Sequence, residues 1–378
     1  MKNYKWLLIS YLFFFLFCTN NSFAVSYSWS SLADFQGMDR YSLFLKGNLR
    51  YFNSDIQGRV AVGGNATLKA FKIGEKAEKG KYSLVVGGKL HAGGKGKSEG
   101  GQVENGGIFS GRNMILKRVG LPKGDLVSGG KVKIREMTVE SGSITAKKKV
   151  KLKNAYVHED VTSGGAVELT DSTVSGTIST NTQVTIENPV EFEDIDLSKI
   201  SGTFLANNNS AVSNDNGALF LECTDPLICY FDVTAKQIED AWGLSIHAAY
   251  GKTVIINVKA NHKKLTINDM AFKLLGGIRS TNILYNFYGF KKVIMHHIGF
   301  KGSILAPGAT VNFYEGNMEG SLMAQNFIGG SWKNSINGGQ INVPTPVPEP
   351  KIWILILTGL SIVVAICNIK KFSNIRPY

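Results

Sequence analysis

Four acids crowd one short run of the chain: Glu191, Glu193, Asp194 and Asp196. Carboxylates gathered on one face can act as general acid and base on a glycosidic bond. Asp194 and Asp196 share a face if the backbone is extended. No separate general acid is identifiable beside them, so an acidic surface strand is the plainer reading. A carbohydrate-active lyase or hydrolase stays as the alternative. The histidines are His91, His158, His247, His262, His296 and His297. His296 and His297 point to opposite faces of a strand, a poor geometry for one metal. The Gly-Gly-x-Gly-x-Asp calcium repeat is absent. Glycine-rich residues 87–101 lack the spacing and the following helix of a phosphate loop. These residues point to no catalytic set, no metal and no cofactor.

Lysine supplies a different chemistry. The sequence carries 42 Lys and Arg against 29 Asp and Glu, a formal net charge of +13. The excess is local: residues 46–153 hold 23 basic against 8 acidic side chains, whereas residues 154–207 hold 9 acids against Lys199 alone. A basic half can meet anionic polysaccharide, lipopolysaccharide or acidic protein. Lysines that only keep a sheet face soluble and block edge pairing explain the same excess. Within this half, Lys147, Lys148, Lys149 and Lys151 are the candidate contact for an anionic ligand.

The elements that must position these lysines are legible in residues 120–188. They divide into rows of 17, 18, 17 and 17 residues. Each row ends in a polar bend and an alternating run: Lys131-Val132-Lys133-Ile134, Lys149-Val150-Lys151-Leu152, Ala166-Val167-Glu168-Leu169 and Gln183-Val184-Thr185-Ile186. A period of two means strand, and strands recurring at near-constant length mean coils stacked into a solenoid. Bend residues recur at 64, 88, 111, 130, 148, 165 and 181. Seven coils about 4.8 Å apart make a section roughly 30 Å long. The longer early coils place surface excursions at residues 69–81 and 91–104. Residues 189–216 read as an acidic connection, and residues 233–247 as the one helix flanking the solenoid, with Thr234 as its N-cap. Strands follow at residues 253–258, 264–267 and 283–287, and residues 300–312 read as strand, proline corner and strand. The fold class is mainly β, a β-helix with one flanking α-helix.

The termini carry targeting signals. Lys2 and Lys5, the apolar run 6–17 and Ser22-Phe23-Ala24 compose a signal peptide, residues 1–24. Residues 25–342 form the exported domain, and residues 343–350 a proline-rich linker. Residues 351–370 are long and apolar enough to span a bilayer, and the basic tail 371–378 stays in the cytoplasm. Export excludes intracellular nucleic acid as a partner. Only Cys223 and Cys229 remain in the exported body. An oxidising compartment and the Asp225-Pro226 turn favour a disulfide between them, and two free thiols are the alternative.

Residues 53–65 (NSDIQGRVAVGGN), 255–258 (IINV), 284–287 (LYNF) and 302–309 (GSILAPGA) resemble the motifs of the choice-of-anchor A family over residues 35–341. The departure is Gly308, where the family usually has Asn. The resemblance implies a secreted, adhesin-like domain with an ice-binding-like β-helix. Pro348-Glu349-Pro350, the apolar span and Lys370-Lys371 resemble a PEP-CTERM sorting tail. That resemblance implies an exosortase-type processing enzyme as partner, with the membrane holding the chain until cleavage. Ice binding needs flat, regular threonine rows, and Thr170, Thr173, Thr177, Thr180, Thr182 and Thr185 are irregularly placed. The expectation is a non-enzymatic adhesin at the cell surface or in the extracellular matrix. Its partner is extracellular polysaccharide or surface protein, and a ligand-free matrix spacer is the further alternative.

Overall fold

Strands with an apolar row on one side need neighbours in register to bury it. In the computed structural model, which describes residues 37–77, 80–94, 96–121, 123–205, 210–225, 227–330 and 334–337, those neighbours are successive coils of a parallel β-solenoid. A complete coil has three sides. Leu126–Ser128 lies on the first side, and Val132–Val139 bends at Glu136 to run along the second and third. The next coil repeats this in register: Leu126 faces Ile144, Val132 faces Val150, and Met137 faces Ala155. Inward positions are aliphatic and fully buried, among them Val132, Ile134, Val150 and Leu152. Each such side chain contributes about 1.5–3 kcal/mol by burial.

The bends are built to stack. Asn53, Ala70, Arg118, Glu136, Asn154 and Asp171 all take left-handed φ between 47° and 55° at the corner joining the second side to the third. At the opposite end of the second side, Asn48 Oδ1 accepts from Asn65 N at 2.8 Å, and Asn65 Oδ1 from Lys89 N at 2.8 Å. Side-chain amides thus bond the backbone donors that the turn leaves free. All seven expected coils are present on the first side, from Val60–Val62 to Ile178–Ser179.

The stack continues beyond the seven coils, in an order that differs from the chain. Leu43 lies between Val60 and Leu322, so the amino-terminal coil sits in the middle of the solenoid. The carboxy-terminal coils extend it the other way, Leu322 to Ile304, Tyr285 to Ile256 and Ile256 to Phe231. Among the described residues the first side has thirteen parallel strands, which span about 60 Å.

Four expectations are corrected. The flanking helix is α1, Leu197–Leu205, inside the stretch read as an acidic connection. Its buried residues Leu197, Ile200, Ser201 and Phe204 have the spacing of one helical face. The helix expected over residues 233–247 is only α2, Ala235–Asp240. Thr234 caps it as expected, accepting from Gln237 N at 3.2 Å. Residues 243–247 leave the helix because Leu244 and Ile246 bury in a period of two, between Leu219 and Leu221 and their neighbours Phe272 and Leu274. Residues 183–186 form no strand: Asn181 N and Thr182 N still bond Gly165 O and Ser163 O, but no further coil pairs beyond them. The early excursions are shorter than expected, because residues 69–73 and 101–103 are paired strand.

Among the described residues no helix is long and apolar enough to cross a membrane. The signal peptide, the linker with Pro348, Glu349 and Pro350, the apolar span 351–370 and the tail 371–378 lie outside the described residues.

Candidate functional site

The acidic run is fixed to the flank of the solenoid by Asp196 and by its backbone carbonyls. Asp196 Oδ1 accepts from Ser198 N at 2.9 Å and from Lys199 N at 3.0 Å, capping α1. Lys46 Nζ donates to Phe192 O and, at 2.6 Å, to Ile195 O, pinning the acidic run to the solenoid. The Phe192 ring packs on Phe44 at 5.6 Å. Glu191, Glu193, Asp194 and Asp196 are all exposed.

Helix α1 is fastened by a buried polar chain. Asn286 Nδ2 donates to Ser201 O at 3.0 Å and to Asn257 Oδ1 at 2.9 Å, and Ser201 Oγ donates to Asn286 Oδ1 at 2.5 Å. Asn257 Nδ2 donates to Phe204 O at 2.9 Å. These asparagines are the third residues of the IINV and LYNF motifs, so what those motifs carry here is docking of the helix. Their sequence alone does not signal that role, because the helix they hold lies 53 and 85 residues away along the chain.

The histidines are dispersed. His247 bonds Glu222 at 3.0 Å, His262 lies 3.4 Å from Glu239, and His297 pairs with Asp269 and Glu315 at one corner column. Among the described residues no group of three or more His, Cys, Asp or Glu is arranged to hold a metal ion. Cys223 and Cys229 are joined, with an S–S distance of 2.12 Å.

The lysines divide by place. Lys147 and Lys148 are exposed at the bend between the first and second sides. Lys149 and Lys151 both reach Glu168 on the next coil, Lys151 at 2.5 Å. Hydrogen bonds from Lys149 and then Lys151 hold the Glu168 carboxyl below the usual range, and the same contact raises Lys151. The expected cluster is therefore two exposed corner cations, and two lysines that share one carboxylate.

Register on the second side brings other cations together. Lys133 and Lys151 lie directly opposite each other on neighbouring coils, and so do Arg135 and Lys153. Lys117 lies opposite Arg135 on the coil before. Their strand neighbours Val132, Ile134, Val150 and Leu152 point into the core, so the basic side chains stand on the outer face. Lys117 shares Glu136 with Arg118, at 3.6 Å and 2.6 Å. Burial alone would raise Glu136, but Arg118 and then Lys117 outweigh it and lower its pKa. Lys133, Arg135 and Lys153 hold no ion pair among the described residues. The Lys-Val-Lys alternation signals such a column, but only the coil-to-coil register shows which cations meet.

A groove of about 550 Å³ opens on the third side, between residues 271–275 and 299–301. Phe272, Leu274, Arg279, Ser280 and Thr281 line it with the Lys301–Glu319 ion pair. Nothing in the sequence marked it, because its walls come from segments that do not pair with one another.

With this geometry in place, comparison with known proteins gives one family match. The model of an ice-binding-like adhesive domain matches residues 34–334. No curated protein matches the sequence. Among solved structures, the chain is similar to an ice binding protein from an Antarctic Flavobacteriaceae bacterium, at 13% identity and a TM-score of 0.26 over 81% of each chain. It is also similar to the Caldicellulosiruptor kristjanssonii tapirin C-terminal domain, at 10% identity and a TM-score of 0.30 over 68% of this chain and 92% of that one. A possible adhesin C-terminal domain from Caldicellulosiruptor kronotskyensis matches at 9% identity and a TM-score of 0.31 over 81% of this chain and 94% of that one.

Proposed function

The chain belongs to the ice-binding-like adhesive domain family, and from that premise we propose that it is an exported, non-enzymatic bacterial adhesin. It binds extracellular glycan or a surface protein through a flank of the solenoid, at the cell surface or in the matrix. The observation that carries this reading is the second side: a continuous open sheet whose outward side chains stand in register from coil to coil. Such a surface offers many weak contacts at fixed spacing, which suits retention of a large ligand. The Cys223–Cys229 bridge supports an oxidising compartment. The apolar run 6–17 and the apolar span 351–370 support export with a membrane stage. Pro348-Glu349-Pro350 supports release by an exosortase-type enzyme.

The test is retention without turnover. The full chain is immobilised and exposed to acidic glycans, neutral glycans and surface-protein extracts, and the supernatant is assayed for reducing ends and unsaturated sugars. Retention with no new ends is expected. Turnover lost in Asp194→Ala or Asp196→Ala would replace the adhesin with an enzyme. Mass spectrometry of the mature chain checks export: termini are expected after Ala24 and beside Pro348-Glu349-Pro350.

A further inference from the structure

We infer that the second side is a track for one linear polysaccharide bearing about one carboxylate per sugar, laid along the solenoid axis across the coils. The inference rests on the adhesive reading and names its ligand class and its residues.

Two outward columns run along this side. One passes through Arg50, Thr67, His91, Ile115, Lys133 and Lys151 and ends at Glu168. The other carries Lys117, Arg135 and Lys153 and ends at Thr170. Successive cations in a column are one strand spacing apart, about 4.8 Å, comparable with the length of one pyranose ring in an extended chain. A polymer running along the axis therefore meets a cation or a pair on three successive coils, first Lys117, then Lys133 with Arg135, then Lys151 with Lys153. The face is a continuous sheet whose contacts repeat from coil to coil, so it favours an extended polymer over a compact ligand. Ile115 is 38% exposed in the same column and offers an apolar contact for a sugar ring. Glu168 marks one end of the track, where it is shared by Lys149 and Lys151 and cancels one of their two charges.

The energetics point the same way. Like charges directly opposite each other in a sheet disfavour folding. Lys133 with Lys151, and Arg135 with Lys153, are two such pairs on consecutive coils, and among the described residues three of these four cations hold no ion pair. A bound polyanion supplies the missing counter-charge. Binding should then weaken steeply with salt, as it does for other polyanions that release counterions.

The experiment measures binding of the full chain to polygalacturonate across a salt series, with oligogalacturonides, a neutral glucan and anionic phosphatidylglycerol vesicles as competitors. The test variant is Lys133→Gln/Arg135→Gln/Lys151→Gln/Lys153→Gln, and the control is Lys147→Gln/Lys148→Gln. At about fivefold per charge, the quadruple variant should lose roughly 100-fold or more in affinity and flatten the salt slope. Its melting temperature should hold or rise, because the facing like charges are gone. The corner control should change by less than about threefold. Affinity for oligogalacturonides should rise steeply with length up to about three sugars, the span of the cationic coils, and little beyond.

Equal binding by the quadruple variant would overturn the inference. So would a greater loss in the corner control, or vesicles that compete as well as polygalacturonate. If the native chain retains only neutral glycan or protein, the track is wrong and the adhesin stands. If it retains nothing and cleaves glycan, the adhesin fails as well.

Discussion

Removing the Asn286 side chain tests whether α1 is docked by its buried polar chain. Asn286→Ala deletes three side-chain hydrogen bonds at once, two to Ser201 and one to Asn257. Ser201 and Asn286 are fully buried and Asn257 nearly so, leaving little water to replace them. The Ser201 hydroxyl loses its acceptor and Asn257 Oδ1 its donor, at about 1–3 kcal/mol for each stranded group. With the cavity added, the cost is about 3–5 kcal/mol. For a domain of this size that lowers the melting temperature by roughly 10 °C. Circular dichroism melts read the global effect, and amide exchange over residues 197–205 reads release of the helix. In the double variant with Ser201→Ala the losses should sum to less than the two singles, because both variants break the Ser201 Oγ–Asn286 Oδ1 bond. A drop below about 2 °C, or strict additivity, would refute the docking argument.

Other outcomes follow from single contacts. Glu168→Gln should free Lys149 and Lys151 and raise polygalacturonate affinity about fivefold, read on the same beads. Because the folded-state pKa of Glu168 is lowered, the pairing is fully present above the unfolded value of about 4.3 and is lost as pH falls below it through the folded value. Native affinity should therefore approach that of Glu168→Gln only in acid. Reducing Cys223–Cys229, which closes a loop with a sequence separation of 6, should cost about 2 kcal/mol, seen as a lower melting temperature in dithiothreitol. Gly302 has φ +132, and an added Cβ would lie 2.6 Å from the Tyr285 ring. Gly302→Ala should therefore destabilise by about 2 kcal/mol or more in a urea titration.

What could be read from the sequence was whatever repeats locally. The seven coils from residue 60 to residue 179 lie 17–24 residues apart, near enough for the bend spacing to betray them. The pairing of Leu43 with Leu322 spans most of the chain and leaves no period to detect. Helix α1 was hidden by its surroundings: its apolar face is only Leu197, Ile200 and Phe204, inside an acidic stretch with Gly202 and Thr203 in its last turn. The 233–247 segment misled in the opposite sense, because the Thr234 cap is real but the apolar spacing changes to two after Gly243. The lysine cluster was found by density in sequence. The surface is set by register, which moves the centre of charge from Lys147 and Lys148 to Lys133, Arg135 and Lys153.

The most direct measurement is a lysine-acetylation footprint of the full chain with and without polygalacturonate, read by mass spectrometry. The account predicts protection of Lys117, Lys133 and Lys153 on the second side, with Lys147 and Lys148 at the bend and Lys236 and Lys273 far along the chain unchanged. Protection centred on the bend, or spread evenly over all lysines, would contradict it.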